Sequence, residues 1–398
     1  VRAESEEKEI LDPASARDGR KSASPPSAQF LLGNVAAAEG ALAAGCTFYA
    51  GYPITPSSEL MHHMAVHLRR RGGVFVQMED EIASISAIVG ASWTGVKSMT
   101  ATSGPGLSLM MEGIGYAAMT ETPCVLVDIQ RAGPCTGQAT HVGAGDVMQI
   151  RHGSHGDYMP VAVAPWSVQE MFDLTVRAFN LAERFRVPAF VMADEAVGHL
   201  RESAVIRTEV ETITRPRPHD DVAAAAPFGT DAMDGIPPMP FFGEGANLLV
   251  TGSTHDERGY RKVDHPQIQQ TLVQRLTQKI TRRRAEIVDL EHYFCEDAQV
   301  VVLAYGFTAR SALAAVKQCR QSHKKVGLCR LKTLWPFADR EIADLSQGLK
   351  GIVFPEMNLG QLAGVTRQHA HCAVESLSQT NGRIIEPAVI QEAIERFF

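Results

Sequence analysis

Three stretches combine residue types that can do chemistry with turns that would present them. In 77-QMEDEIASISAIVGASWTG-95 three acids, Glu79, Asp80 and Glu81, open an otherwise apolar run. Ile82, Ile85, Ile88 and Val89 recur at helical spacing, and acids in a first helical turn interact favourably with the helix dipole. Helix chemistry alone accounts for such a cluster, so its context must decide whether one carboxylate has a second role. In 51-GYPITPSSE-59, Pro53 and Pro56 fix the backbone around three hydroxyls. Ser57 or Ser58 reads as a helix N-cap, which leaves Thr55, between Ile54 and Pro56, without that explanation. In 129-IQRAGPCTGQATHVGAGDVMQIRHGSHGD-157, Arg131 directly follows a strand-like run. A guanidinium at such a rim forks onto a carboxylate ligand or makes a structural ion pair, here with Asp146 or Glu112.

A fourth stretch, 102-TSGPGLSLMMEG-113, is a glycine-rich turn before a helix, able to approach a phosphate or a ring closely. It matches G-x-G-x-x-G only in part, because the third glycine position is Leu109, and close packing against a cofactor or partner fits better than a dinucleotide. His141, His152 and His155 lack ligand spacing for a metal and read as loop histidines on a solvated surface.

These turns need elements to hold them. TFYAGYP, VFVQM, KSMTATS, CVLVDIQ and PAFVMAD read as strands, the last two as buried parallel strands. NVAAAEGALAAG, SSELMHHMAVHLRRR, the run after Glu81, LSLMMEGIGYAAMTE and VQEMFDLTVRAFNLAERFR read as helices. The alternation over 28–205 predicts an open α/β domain with helices on both faces, and ligands in such a sheet sit outside the carboxyl ends of the strands. Residues 206–245, rich in Pro, Gly and Asp, read as a linker or an arm wrapping a neighbouring subunit. A single helix is expected over HPQIQQTLVQRLTQKITRRRAEIVDL, completing a 206–295 connection. A smaller α/β domain over 296–398 follows, with VVVLAYG, VGLCRL and IVFPEMN as strands.

The 398 residues suffice for two or three domains, and 45% hydrophobic with 21% charged content is that of a water-soluble fold. A net charge of −7 provides no basic field for nucleic acid. No apolar run approaches the ~20 residues that cross a bilayer. Residues 1–27 read as a disordered polar tail without a hydrophobic signal core, and a cytoplasmic location is expected. The seven cysteines are dispersed with no Cys-x-x-Cys, so neither an iron–sulfur cluster nor a structural zinc site follows from local spacing. If the protein moves electrons, another chain must hold the metal.

GNVAAAEGALAAG, YAGYPITPSSE, QMEDEIASI, TATSGPGLSLMMEGIGYA and VDIQRAGPCTG, in that order, resemble the alpha subunit of 2-oxoacid:ferredoxin oxidoreductases, in particular the 2-oxoglutarate type. The resemblance resumes at TGSTHDERGY, VVLAYGFTARSA, LWPF and PEMNLGQL. It implies a thiamine diphosphate-binding, pyrimidine-type domain with an open parallel sheet at 28–205, plus a transketolase-C-terminal-like α/β domain at 296–398. It also implies a beta subunit carrying the diphosphate, Mg2+ and a 4Fe-4S cluster, with gamma and ferredoxin-like delta subunits or free ferredoxin. Coenzyme A would be the co-substrate. The chain has no Gly-Asp-Gly motif for a diphosphate; the nearest decoy, Gly156-Asp157-Tyr158, has its downstream Asn180 inside a predicted helix.

By position in MEDEIAS, the resemblance makes Glu81 the carboxylate that hydrogen-bonds the aminopyrimidine ring and so enables it to deprotonate the thiazolium. Asp80 then begins the helix and Glu79 pairs nearby. The same carry-over puts Thr55 and Arg131 on the substrate's 2-oxo acid end, the backbone of Tyr52 and Pro53 beside the pyrimidine, and Ser103 and Gly104 near the cofactor or a subunit contact. Cys135, the Gln138-Ala139-Thr140 run and Ala144 depart from the family pattern in the loop expected to read the rest of the substrate. The expected reaction is oxidative, reversible decarboxylation of 2-oxoglutarate to succinyl-CoA. Pyruvate, branched-chain or aromatic 2-oxo acids, and a non-catalytic scaffold, are the alternatives.

Overall fold

The computed structural model describes residues 28–218 and 222–398, so the tail expected over 1–27 lies outside the described residues. The main sheet runs in the spatial order Thr333–Trp335, Val161–Val163, Pro188–Asp194, Cys124–Ala132, Lys97–Thr102, Cys46–Gly51, Val74–Gln77. All neighbours along it are parallel except the first pair, and Gln138–Val142 pairs antiparallel with the end of Cys124–Ala132. Every residue of Cys124–Ala132 and Pro188–Asp194 is buried, as central strands are when helices cover both sheet faces. Alternation assigns those faces. Leu126 packs with Ile85, Ile88, Met110 and Ile114 on one side, and Val125 and Val127 with Met64, Phe172 and Phe179 on the other.

The second sheet orders Leu290–Tyr293, Val326–Leu331, Val300–Ala304, Gly351–Glu356, Ala373–Ser378, with only the first strand antiparallel. The two units are not separate beads. Thr333–Trp335, from the second, forms the edge of the first sheet, and Trp335 Nε1 donates to the Val147 carbonyl at 3.0 Å. Asp194, ending a first-sheet strand, accepts from Phe307 N at 2.7 Å.

One sequence expectation changes. The helix expected across 265–290 is Pro266–Thr281, followed by a short turn Arg284–Ile287 and the strand Leu290–Tyr293. The Asp289 carboxylate, paired with Arg177, and the pairing of Leu290–Tyr293 with Val326–Leu331 override the helix propensity of TRRRAE. The described part of the arm folds back on its own first unit. Buried Arg215 pairs with Glu183 and donates to the Ser92 carbonyl at 2.8 Å. Arg186 donates to the carbonyls of Pro227 and Pro237 at 2.7 and 3.0 Å, and Phe228 and Met239 cover Trp93. Asn180 lies within the helix Val168–Phe185 and brackets the start of the arm, donating to Glu211 O and accepting from Ile213 N, both at 2.8 Å.

Candidate active site

The carboxyl ends of the main-sheet strands bring the chemically suggestive turns together. After Val74–Gln77 the chain enters the helix Glu81–Ser92, whose N-cap is Asp80: its side chain accepts from Ala83 N at 2.7 Å. That accounts for Asp80. Glu79 is exposed at the turn. Glu81, the first helical residue, points inward and is 4% exposed. Burial pushes its carboxyl pKa up, the Asp80 charge adds to that, and only its own backbone N–H opposes it.

The space for this carboxyl is made by a glycine. A Cβ at Gly106 would lie 2.7 Å from Glu81 Cδ and inside contact distance of Glu81 Oε1 and Thr102 Oγ1. Gly106 sits in the first turn of the helix Gly104–Met119, which Ser103 begins without a side-chain capping bond. The Ser103 hydroxyl is buried with no hydrogen-bond partner. Two residues before Gly106, a Cβ at Gly104 would face Asp146 Oδ2 at 3.2 Å. One helix start thus approaches two acids.

Arg131 lies within the strand Cys124–Ala132, not after it. Its Nη1 donates to the Thr55 carbonyl at 2.7 Å rather than ion-pairing with Asp146 or Glu112, and its buried Nε has no partner. Thr55, Tyr52 and Pro53 are exposed on the adjacent turn. The structure therefore places Thr55 and Arg131 against each other. Arg131, Gly104 and Asp146 share the wall of a cavity of ≈460 Å³, with Cys135 on one flank and Asn358 on the other. Larger cavities of ≈500 and ≈550 Å³ lie against the helix Pro266–Thr281, away from these groups. The cavity beside Arg131 is the relevant one because buried unsatisfied donors and acidic groups converge there.

Asp128 and Asp146 form a carboxyl pair that sequence reading missed. Asp128 is wholly buried, and burial together with the facing Asp146 pushes its pKa well up. Asp146, partly offset by Arg131, is pushed to about 6. With both ionised, the Asp128 oxygens find no donor; a proton on one acid supplies the hydrogen bond to the other. Asp128 sits inside a strand of apolar residues, and that lone buried acid was the available signal.

The second unit clamps the loop that follows Arg131. Asn358 Nδ2 donates to Ala144 O at 2.7 Å, Gln361 Nε2 to Gly145 O at 2.6 Å, and Ala144 N to Met357 O at 3.0 Å. Buried Glu356 organises the clamp by accepting from Leu362 N and Ala363 N at 3.0 and 2.9 Å. These residues belong to PEMNLGQL, whose part in the site is invisible until the chain folds.

Residues 39–274 match the family model for pyruvate flavodoxin/ferredoxin oxidoreductase, thiamine diphosphate-binding, and 298–390 match pyruvate:ferredoxin oxidoreductase core domain II. The chain is 49% identical over 370 residues to 2-oxoglutarate synthase subunit KorA of Methanocaldococcus jannaschii, covering 92% of this chain and 99% of that one. It is 36% identical to ketoisovalerate oxidoreductase subunit VorB of Methanothermobacter thermautotrophicus, covering 92% and 97%. A solved 2-oxoglutarate:ferredoxin oxidoreductase from Magnetococcus marinus, with 2-oxoglutarate, coenzyme A and succinyl-CoA bound, superposes with a TM-score of 0.88 at 31% identity. That match covers 93% of this chain but 65% of the solved one. Sequence blocks and architecture agree: the chain belongs to the 2-oxoacid:ferredoxin oxidoreductase family, as an alpha subunit alongside those of 2-oxoglutarate synthase.

Proposed function

We propose that this chain is the alpha subunit of an enzyme that oxidatively decarboxylates 2-oxoglutarate to succinyl-CoA, passing the electron pair to ferredoxin, and that runs in reverse when ferredoxin is strongly reduced. The observation that carries the reading is the buried Glu81 carboxyl, given its room by Gly106 and set at the same carboxyl-end rim of the sheet as the Arg131–Thr55 pair. Identity of 49% to a 2-oxoglutarate synthase subunit, against 36% to a ketoisovalerate oxidoreductase subunit, favours 2-oxoglutarate over branched-chain acids.

Residues 28–205 supply the pyrimidine-binding half of a thiamine diphosphate site, and 296–398 the transketolase-C-terminal-like unit. Bound thiamine diphosphate supplies the electron sink for decarboxylation. A carboxyl of raised pKa fits its ring nitrogen, because burial leaves the group neutral or hungry for a hydrogen bond. Glu81 holds the proton at this contact, and the surrounding burial keeps water from competing for it. Arg131, held by the Thr55 carbonyl but with Nε unpaired, receives the substrate's carboxylate. Thr55 hydrogen-bonds the 2-oxo oxygen. Ser103 and Gly104 complete the wall on the cofactor side, with the backbone of Tyr52 and Pro53 flanking the ring. The diphosphate, Mg2+ and a 4Fe-4S cluster belong to a beta subunit, with gamma and ferredoxin-like partners completing the assembly.

The test is Glu81→Ala in the enzyme co-purified with its partner chains, measured as 2-oxoglutarate-dependent ferredoxin reduction. The expected outcome is a loss of about 10²–10³-fold in kcat, the size of a lost charged hydrogen bond at a reacting centre. Turnover close to that of the unsubstituted complex, with the cofactor still bound, rejects the assignment.

A further inference from the structure

Away from the strand ends, on the outer side of the first unit, the helices Gly33–Ala43 and Ser58–Arg70 pack side by side. Glu39 on the first faces His63 and His67 on the second. The histidines are four residues apart, so they share one helix face. Their rings stack with centroids 3.9 Å apart and planes 7° from parallel. His63 Nε2 lies 2.6 Å from Glu39 Oε1, and one ligand atom from each of the three residues falls within 4.8 Å of the others. All three are half-buried.

We propose that Glu39, His63 and His67 form a binding site for a divalent transition-metal ion, with Zn2+ as the favoured occupant. Two imidazoles and one carboxylate are a zinc-type donor set; hard cations such as Mg2+ and Ca2+ take oxygen ligands instead. Zinc bonds of about 2.0–2.1 Å place tetrahedral ligand atoms about 3.3 Å apart. The 2.6 Å contact must therefore open by less than 1 Å, within the reach of a rotamer adjustment on two half-buried side chains. Arg71 Nη2 contacts the other carboxylate oxygen, Glu39 Oε2, at 3.2 Å, and orients Glu39 as an outer-shell partner does. Its charge opposes a cation, but Arg71 is half exposed and solvent screens it. Three protein ligands leave a further position for water. The ion pins the helix Ser58–Arg70, which directly follows the turn carrying Thr55, to its neighbour.

The test is titration of the full-length chain with Co2+ as a spectroscopic stand-in, followed by displacement with Zn2+. A visible d–d band of low-symmetry nitrogen–oxygen coordination, saturating at one equivalent, is expected. His67→Ala is expected to weaken binding by tenfold or more, Glu39→Gln to weaken it while leaving the His63 contact possible, and Zn2+ to raise Tm only where the band forms. His67→Gln serves if the alanine variant does not fold. No band at one equivalent, an unchanged titration in the His67 variant, or a thiolate charge-transfer band placing the metal on cysteine overturns the proposal.

Discussion

Replacing Gly106 by alanine should separate stability from activity. The added Cβ would stand 2.7 Å from Glu81 Cδ, where carbon atoms settle at about 3.5–4.0 Å. Backbone holds Gly106 in a helix, so the Glu81 side chain must retreat by roughly 1 Å. A misplacement of that size at a reacting centre costs about 10²-fold in rate, or ~2.7 kcal/mol of barrier. The fold should suffer less. Alanine gains ~1 kcal/mol over glycine inside a helix, against ~1–3 kcal/mol for overpacking, a net loss of no more than ~2 kcal/mol. Gly90→Ala is the internal control, because a Cβ there, in the exposed part of the helix Glu81–Ser92, meets nothing within 4 Å. The assay is the initial rate of 2-oxoglutarate-dependent ferredoxin reduction by the co-purified complex, beside thermal unfolding of each variant. If Gly106→Ala keeps more than a third of the wild-type rate, or Gly90→Ala is equally damaging, then the cradle argument for Glu81 is wrong.

Glu121 is wholly buried and accepts from Lys279 Nζ at 2.8 Å and Arg275 Nη2 at 2.6 Å. Despite burial, the Lys279, Arg275 and Arg186 charges hold its pKa near 2, while burial lowers Lys279 to about 8. Glu121→Gln strands the buried cations and should cost ~3–5 kcal/mol in denaturant unfolding; adding Lys279→Met should recover part of it. Asp194 is raised to about 6 by burial although it accepts from Val197 N and Phe307 N. The folded state holds this proton more tightly than the unfolded chain does. Its stabilising contribution is full below pH ~4 and lost as pH rises through 6, up to ~3 kcal/mol. Wild type should therefore lose stability relative to Asp194→Asn over that window, and a flat difference would count against the shift. Asn358→Ala removes the bond to Ala144 O and should raise KM for 2-oxoglutarate about 3–30-fold with a smaller change in kcat, read from steady-state kinetics.

Local signals made much of this legible. Cys124–Ala132 and Pro188–Asp194 announce themselves as unbroken β-rich runs, and Asp80 as an N-cap ahead of apolar residues at helical spacing. What escaped depends on distant parts of the chain meeting. Thr333–Trp335 is three residues long and becomes a strand only because Val161–Val163 accepts it. The polar Gln138–Val142 has no apolar alternation and is set by its neighbour. Arg215, in TRPRPHD, looks like a solvated cation until Glu183 and Ser92 enclose it. Glu81 could be singled out from its motif, but Gly106, which makes its burial possible, is one of several glycines in a turn until Cβ positions can be tested.

The charge distribution at the strand ends bears on the proposal that this chain holds only part of a thiamine site. Glu81, Asp146, Asp194 and Glu356 all lie near this rim, and burial raises all four. Each survives there by keeping a proton or by accepting backbone N–H bonds. Arg131 is the cation set among them, and one of its donors is already committed to a carbonyl. A diphosphate brought into that field would meet acids whose ionisation it opposes. An aminopyrimidine ring, a weak base carrying hydrogen-bond donors and acceptors, meets what it needs: a neutral-leaning carboxyl in a dry place. In the proposed reading, this rim suits the pyrimidine end of the cofactor better than its diphosphate end.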